Sequence, residues 1–420
     1  MRTLSKLLAS LLPLMSVASA VHAESFTFQG IIYNTTSDST CEVGRQTPPD
    51  INGAVRLPAE VTDGDGNSYV LKSVSNFAFV TCASLTEVTV PATVETIGNS
   101  SFSKCSSLKI VRFSGAPLSV GSNCFSESNS IAQVYTPGLE AWISTDFKDA
   151  SASPLNYGAT LLNTDGVKVD CSVIPDATLR IGNYSLANMK DLETISLPES
   201  LEEIGIGAFT GTPVRYVNIP SLARWASITF GNYTANPLYS GALLVHDGRE
   251  VSDLDIPYGV TSVSNYAFMN YTAAETITIP ASVTAVGTQA FSGCTGAATL
   301  SIGQNVATIG MNAFQKIDFR TVRSHAVNPP ELARNSFSEN TYSTAILTVP
   351  QGSLEAYMAA SQWKKFQNIT EEGTTAIGAV VGDAPANVIY YNLDGHKIAN
   401  PSAGTYIRCQ GGKSVKVLIR

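Results

Sequence analysis

The chain has 420 residues, a formal net charge of −8 and only 14% charged residues, while 44% of its residues are hydrophobic. A chain of this length is too long for one ordinary compact core unless the fold is elongated or repetitive. Its hydrophobic content excludes an intrinsically disordered chain. The acidic balance and the absence of any Lys/Arg run argue against nucleic acid as a partner.

Residues 1–23 are typical of a secretory signal peptide. Arg2 and Lys6 precede the apolar stretch LLASLLPLMSVASA, and Val21–Ala23 offers a small-x-small cleavage site, with 18–20 as a close competitor. No later stretch has the roughly 18 apolar residues of a membrane span. We therefore expect an exported chain that is secreted or held at the cell surface, with no transmembrane segment.

The segment 24–57 predicts an N-terminal β cap, since the ends of a stacked array need covering. The adjoining DGDGN (63–67) resembles the start of a calcium-binding loop. Val74 stands where such a loop carries its bidentate Glu. We interpret this segment as a glycine-rich hairpin turn rather than a metal site.

From residue 58 to residue 350 the sequence repeats with a period of 23. An anchor residue is preceded by Ala, Ser or Cys, and an aliphatic residue lies five positions before it. The anchors are Phe79, Phe102, Phe125, Leu186, Phe209, Phe268, Phe291, Phe314 and Phe337. Periods of this length indicate stacked coils, so we expect a solenoid in which the anchors form an internal column.

Segments such as LTEVTVP (85–91) alternate apolar and polar residues, which predicts one β-strand per coil. A glycine follows the aliphatic residue in most coils, as at Gly287, where a tight turn needs a small or conformationally permissive residue. Two inserts, near 137–175 and 220–257, interrupt the period and carry Trp142 and Trp225 at matching places. We interpret both tryptophans as packing residues of embellished repeats.

The C-terminal part divides into three predicted segments. Residues 351–370 predict a capping helix with Ser353 as its N-cap, residues 371–387 a linker of small residues, and residues 388–420 a small β module.

The unit LTEVTVPATVETIGNSSFSKC (85–105) resembles the BspA-like leucine-rich repeat family of bacterial secreted and cell-surface proteins. The resemblance rests on an aliphatic-Gly-x-x-Ala-Phe-x-x-Cys turn followed by a strand that ends in Ile-Pro. It implies a curved right-handed solenoid and a role in protein binding or adhesion, with no enzymatic activity and no cofactor. The tail YNLDGHKIANPSAGTYI is similar to C-terminal sorting-type β modules of secreted Bacteroidetes proteins.

An alternative fold is a right-handed parallel β-helix, which would show three strands per coil and, in its enzymes, clustered acidic residues. The sequence shows no such cluster. His246, His325 and His396 are scattered, and no nucleophile or phosphate-loop motif is present, so we predict no catalytic, metal or cofactor site.

The seven cysteines are an odd number, so at least one stays unpaired within the chain. Cys82 and Cys105 lie on adjacent coils, roughly 4.8 Å apart by strand spacing, which is within disulfide range. Their parallel side-chain directions favour buried thiols instead.

The positions seven, eight and ten residues after each anchor are predicted to face outward. Most carry Thr, Ser, Ala or Asn, but a basic and aromatic minority comprises Lys109, Arg112, Tyr135, Arg215, Tyr216, Arg320 and Arg323. Arginine and tyrosine are enriched at protein-binding hot spots, so these residues define a candidate protein-binding face. The predicted partner is a protein, such as a host matrix or cell-envelope component. The alternatives are a structural spacer in a surface assembly and a polysaccharide-degrading β-helix enzyme.

Overall fold

The computed structural model describes residues 24–372, 389–393, 397–398, 401–410 and 413–419. The predicted signal peptide, residues 1–23, and nearly all of the predicted linker lie outside these residues. Within them the chain is built from repeated coils, each with a long strand, a short strand and a turn that carries the anchor residue.

The long strands form three sheets in which successive coils pair in parallel. The first sheet contains Gly53–Arg56, Leu85–Val90, Ile110–Phe113, Gln133–Tyr135 and Thr160–Leu162. The second contains Thr194–Ser196, Tyr216–Asn218, Leu243–His246 and the antiparallel Arg249–Glu250. The third contains Asp253–Asp255, Thr276–Ile279, Thr299–Ile302, Thr321–Ser324, Ile346–Val349 and Asn368–Glu371. Alternate side chains of every long strand therefore form inward-facing and outward-facing rows.

A second, short strand in each coil forms a separate set of parallel sheets, so the prediction of one strand per coil was incomplete. In the repeats these strands are Thr96–Ile97, Ser119–Val120, Asp146–Phe147, Arg180–Ile181, Glu203–Ile204, Thr229–Phe230, Ser262–Val263, Ala285–Val286, Thr308–Ile309 and Glu331–Leu332. Two residues are too few to show an alternating pattern, which is why the sequence did not reveal them.

The anchor phenylalanines stack on one another inside the coils, as predicted. Ring centroids are 5.2 Å apart for Phe268–Phe291 and 5.4 Å apart for Phe291–Phe314, and the ring planes differ by 7° and 10°. Phe79, Phe102 and Phe125 stack in the same way in the first block of coils. All of these rings are fully buried, so within these two blocks the column joins each coil to the next.

Two residues with positive φ flank the anchor of most coils, two positions before it and two after. Around Phe268 they are Tyr266 (φ 64°) and Asn270 (φ 61°). Non-glycine residues rarely adopt this conformation, although asparagine, which also stands at Asn123, Asn188 and Asn312, does so more readily than most. The anchor turns are also joined to each other, because the Phe268 amide donates to the Ala290 carbonyl at 2.7 Å.

The glycine that follows the aliphatic residue in most coils is required for its small size. A Cβ built on Gly287 would lie 2.5 Å from the Asn265 backbone nitrogen of the preceding coil, and the φ of Gly287 is not positive. Asn265 Oδ1 in turn accepts a 2.7 Å hydrogen bond from the Thr288 amide. Of the two reasons predicted for this glycine, close approach of neighbouring backbones is the one that applies.

In four of the described coils the third residue after the anchor donates a hydrogen bond to the anchor carbonyl of the preceding coil. Cys105 Sγ donates to the Phe79 carbonyl and Cys294 Sγ to the Phe268 carbonyl, both at 3.1 Å. Ser128 and Thr212 make the equivalent bonds to Phe102 and Leu186, each at 2.6 Å. Six cysteines are free and buried, namely Cys41, Cys82, Cys105, Cys124, Cys171 and Cys294. Cys82 and Cys105 form no disulfide.

The two predicted inserts are coils lengthened by four residues. Ile110 pairs with Gln133, 23 positions later, whereas Gln133 pairs with Thr160, 27 positions later. The additional residues form helices α1 (Leu139–Ile143) and α2 (Leu222–Ser227) between the long and the short strand. We call these two units the helix-bearing coils.

Each tryptophan of the helix-bearing coils joins its coil to the next anchor turn. Trp142 Nε1 donates to the Ser185 carbonyl at 2.5 Å, and Trp225 Nε1 donates to the Ala267 carbonyl at 2.8 Å. Ser185 and Ala267 immediately precede anchors. The tryptophans are buried packing residues, as predicted, and each also satisfies a buried carbonyl group.

The N-terminal strands Ser25–Phe28, Ile31–Thr35 and Thr40–Val43 form an antiparallel meander at the edge of the first short-strand sheet. Thr40–Val43 pairs in parallel with Ser68–Val74, which also pairs with the antiparallel strand Glu60–Thr62. This meander occupies the place at which the sequence predicts a cap.

At the other end, helices α3 (Glu339–Thr344) and α4 (Leu354–Ala359) bracket the strand Ile346–Val349. Ser353 precedes α4 but makes no side-chain capping bond. The strand Asn368–Glu371 adds to the third sheet, so the array extends past residue 350. The described residues after 388 contain the antiparallel strands Ile389–Tyr391, Lys397–Ile398, Gly404–Gln410 and Lys413–Ile419.

We expect Phe291→Ala to lower the free energy of unfolding by about 3–5 kcal/mol, because it leaves a cavity between two stacked rings. Urea denaturation followed by circular dichroism measures this loss. Thr299→Ala, at an exposed position of the following long strand, is the control and should cost less than about 1 kcal/mol. A loss as small as the control's would contradict the internal column.

Burial raises the pKa of the Cys105 thiol to about 12. In the unfolded chain the pKa of this thiol is about 8.5. Above that pH the unfolded state binds fewer protons than the folded state, so stability falls as pH rises towards the folded pKa. We expect the wild type to lose about 1–2 kcal/mol more than Cys105→Ser between about pH 8 and about pH 10.

Serine at position 105 does not titrate in this range, and it keeps a donor for the Phe79 carbonyl, as Ser128 does one coil later. Urea midpoints of both proteins at the two pH values provide the measurement. Equal losses in the two proteins would show that the thiol ionises freely in the folded state.

Candidate protein-binding face

The seven predicted residues lie on the long-strand side of the coils, but on three different sheets. Lys109, Arg112 and Tyr135 belong to coils of the first sheet, Arg215 and Tyr216 to one coil of the second, and Arg320 and Arg323 to one coil of the third. The structure therefore divides the predicted face into three local groups, of which the first links neighbouring coils.

In the first group, Arg112 lies between partners from the coils on either side. Its guanidinium carbon is 3.6 Å from the centroid of the Tyr135 ring, and its Nε is 2.6 Å from Glu87 Oε1. Arg112 and Tyr135 are register partners in adjacent parallel strands, which brings the two side chains together. The guanidinium is thus held by a cation–π contact on one side and by an ion pair on the other.

Partial burial lowers the pKa of Arg112, but the hydrogen bonds and charge interactions with Glu87 and Tyr135 raise it overall. The guanidinium therefore stays charged. The side chains of Arg112 and Glu87 are 33% and 27% exposed. This ion pair is therefore better shielded from solvent than most surface ion pairs.

An open groove surrounds this stack. Its walls include Arg56, Glu87, Thr89, Arg112, Tyr135 and Thr164. Thr164 comes from the hairpin that follows the first helix-bearing coil, where Asn163 Oδ1 accepts the amides of Asp165 and Val167 at 3.0 and 2.9 Å. The groove thus combines side chains of the repeat with one from the interruption. We call it the Arg112 groove.

The other two groups are more open. Tyr216 is 42% exposed and lies in register between Thr194 and Leu243, with Arg215 exposed beside it. In the third sheet, Arg323 Nε is 3.0 Å from Glu372 Oε1. Arg320 is exposed at the start of the same coil's strand.

Glu372 also approaches a histidine. His325 Nδ1 is 3.6 Å from Glu372 Oε1, and its Nε2 is 3.2 Å from Ser301 Oγ. The third group is therefore a short polar network at the end of the array rather than a row of free cations.

Sequence reasoning missed the partners that fix these arginines. Glu87 lies 25 positions before Arg112, and Glu372 comes from beyond the predicted array. Arg56, which lines the groove around Arg112, lies outside the predicted pattern. An opposite charge about one period away was a usable signal for Glu87. Glu372 had no such signal, because the last strand departs from the repeat.

The DGDGN segment is a closed turn. Asp63 accepts hydrogen bonds from the amides of Asp65 and Asn67, from Asn67 Nδ2 at 2.9 Å and from the Tyr69 hydroxyl at 3.1 Å. These bonds, with the Asn67 side chain first, lower the pKa of Asp63. Within the described ranges no three His, Cys, Asp or Glu side chains are grouped so as to hold a metal ion.

Comparison with solved structures finds partial similarity to three bacterial proteins. A leucine-rich cell-surface protein of Faecalibacterium prausnitzii is 17% identical (TM-score 0.37) over 84% of this chain and 96% of its own. A leucine-rich repeat protein of Bacteroides ovatus is 20% identical (TM-score 0.36), over 82% and 99% respectively. The pneumococcal vaccine antigen PcpA is 13% identical (TM-score 0.34), over 80% and 96%. No functionally curated protein matches the chain.

No helix in the part of the chain that the structure describes is long and apolar enough to cross a membrane. The sequence profile of the BspA type leucine-rich repeat region matches the chain in six copies, over residues 68–151, 166–235 and 246–355. This match covers more than half of the chain and coincides with the stacked coils. The chain therefore belongs to the BspA type leucine-rich repeat family.

Proposed function

We propose that this protein binds another protein through the Arg112 groove. The observation that carries the proposal is the stack of Arg112 on Tyr135, closed on its other side by Glu87. Arginine and tyrosine are the residue types that most often dominate binding energy at protein interfaces. Here they are adjacent, partly shielded from water and surrounded by an open groove.

The stack is also held in place before any partner arrives. Its three side chains come from three consecutive parallel strands whose inward residues, Val88, Val111 and Val134, are completely buried. Immobilising a long side chain on binding costs about 0.5–1.5 kcal/mol, and a side chain that is already fixed avoids much of this cost. This rigidity favours the first group over the more exposed Arg215 and Arg320.

The proposal includes export. The predicted signal peptide supports passage out of the cytoplasm, and a host matrix or cell-envelope protein is then the accessible kind of partner. Cell fractionation of the full chain, and of a chain without residues 1–23, tests export. Retention of the full chain in the cytoplasm would contradict it. A third chain without residues 388–420 tests whether the C-terminal module directs sorting.

We expect Tyr135→Ala to weaken binding to an identified protein partner by about 10- to 30-fold, because it removes the ring against which Arg112 is held. The partner is first captured from matrix and cell-envelope extracts, purified, and titrated by calorimetry. Arg112→Ala should have an effect of similar size. Unchanged melting temperatures would show that the variants are folded.

Tyr216→Ala and Arg323→Ala are the matched controls, since they remove the corresponding residue types from the other two sheets. Loss of affinity in a control but not in Tyr135→Ala would place the binding surface on a different sheet and overturn the proposal. A chain that captures no protein from either extract, yet is required for the spacing of a surface assembly, would favour the spacer alternative.

A further inference from the structure

A cavity of about 760 Å³ lies just after the first helix-bearing coil, at the start of the long strands. Its walls come from three stretches of chain, 158–161, 168–172 and 188–194. The residues of the Arg112 groove are not among them. The larger apolar side chains of the walls are Leu155, Leu161, Val169, Met189 and Leu192. We call this space the Met189 cavity.

The cavity arises because the chain makes two additional passes on the long-strand side. The first pass is held where the Val169 amide donates to the Leu161 carbonyl at 3.0 Å, and the return pass where the Ser196 amide donates to the Ser172 carbonyl at 2.7 Å. The next anchor turn stays bonded to the helix-bearing coil through Trp142. The long strands on either side are therefore spread apart, and the cavity lies in the opening.

The second helix-bearing coil is followed by the same hairpin and anchor turn, which gives a second unit for comparison. Its Val251 amide donates to the Leu244 carbonyl at 3.0 Å, as the Val169 amide does to the Leu161 carbonyl in the first unit. In each unit the tryptophan bonds the carbonyl of the residue before the next anchor. The walls of the two openings therefore correspond residue by residue.

In the second unit a tyrosine of the chain itself fills the opening. Tyr271, three residues after the anchor Phe268, is completely buried, and its hydroxyl donates to the Val251 carbonyl. Burial raises the pKa of this hydroxyl, and a hydrogen bond with the Leu244 backbone offsets part of the rise. The phenol oxygen thus lies between a backbone acceptor and a backbone donor.

In the first unit the same opening is left free. Three wall positions differ, with Tyr271, Leu254 and Ala274 of the second unit replaced by Met189, Ser172 and Leu192. Met189 and Ser172 are half-buried, whereas Tyr271 and Leu254 are completely buried. Leu192 is larger than the alanine it replaces and takes back part of the volume, but about 760 Å³ remains.

The backbone groups that bond the Tyr271 phenol have counterparts in the wall of the Met189 cavity. Leu161 and Val169 both line it and hold the places of Leu244 and Val251. The Val169 carbonyl oxygen has only a long contact with Cys171, 3.8 Å from Sγ, so a hydroxyl would bond it more strongly than this thiol does.

The charged side chains around the cavity are bonded to one another or exposed at its mouth. Lys168 Nζ is 2.7 Å from Asp191 Oδ2, and Asp170 Oδ1 accepts the Ser172 amide at 2.8 Å. Lys190 and Glu193 are exposed. The apolar walls therefore favour an uncharged ring over an ion.

We propose that the Met189 cavity binds a phenol ring, carried by a free ligand or by a tyrosine of another polypeptide. The ring lies against Met189, and its hydroxyl lies between the Leu161 amide and the Val169 carbonyl, as the Tyr271 hydroxyl does between their counterparts. A buried hydroxyl with both a donor and an acceptor beside it keeps its hydrogen bonds on leaving water. The volume is within the range of small-molecule sites.

Saturation-transfer NMR of the full chain with 4-methylphenol, the side chain of tyrosine, tests the proposal. We expect a dissociation constant between about 0.1 mM and about 1 mM for a ligand of this size. Toluene has the same ring without the hydroxyl. It should bind at least about 5-fold more weakly, because the two backbone groups are then left without a partner.

Met189→Tyr supplies the ring from the chain itself, as the second unit does, and should abolish binding while raising the melting temperature. Ser172→Leu copies Leu254 and fills the cavity from another wall, so it tests the same point if the first variant does not fold. Met311→Tyr is the matched control. It makes the same substitution at a side chain that is 47% exposed and outside the cavity, and it should bind 4-methylphenol like the wild type.

The proposal is overturned if the wild type binds neither 4-methylphenol nor N-acetyltyrosinamide. Binding that survives both filling variants, or toluene binding as tight as that of 4-methylphenol, would overturn it as well. A Gly-Gly-Tyr-Gly-Gly peptide distinguishes the two sources of the ring. Displacement of 4-methylphenol by this peptide supports a tyrosine of a polypeptide, and 4-methylphenol binding that the peptide does not displace supports a free phenol.

Discussion

The stacking of anchor rings, 5.1 to 5.4 Å apart in the first and third blocks of coils, is the contact on which the rest of the structure depends. For a ring to lie on the ring before it, every coil must return to the same place after the same number of residues. This requirement fixes the glycine that lets backbones approach, as at Gly287, and the donor that satisfies the preceding anchor carbonyl, as at Cys105. Cysteine, serine and threonine serve equally as that donor, which explains why the cysteine column is incomplete.

The additional residues of the helix-bearing coils lie between the long strand and the short strand. In an ordinary coil nine positions separate Ile110 of the long strand from Ser119 of the short strand. In the first helix-bearing coil thirteen separate Gln133 from Asp146. The four additional residues form a helix, and the path from the short strand to the next long strand keeps its length. The tryptophan of each such coil then bonds to the following anchor turn, so the column resumes after the interruption.

The outward positions are free of this constraint, and the proposed binding surface lies where an interruption meets the repeat. Thr164, from the hairpin after the first helix-bearing coil, contributes to the Arg112 groove. A rigid array whose interruptions add outward side chains can therefore present a binding surface without any change in its core.

The sequence by itself determined the repeat, its period, the buried column and the family, because these depend on residue types that recur at fixed spacing. It did not predict the short strands or the positive φ of residues such as Tyr266, since two-residue strands and ordinary side chains leave no periodic signal. Only the tertiary structure decided which outward residues meet. Arg112 contacts Tyr135 and Glu87 because parallel register aligns neighbouring coils, whereas Arg215 and Arg320, of the same residue type, lie on different sheets. Contacts between coils depend on side-chain direction and on the register of neighbouring strands, which a local sequence pattern does not show.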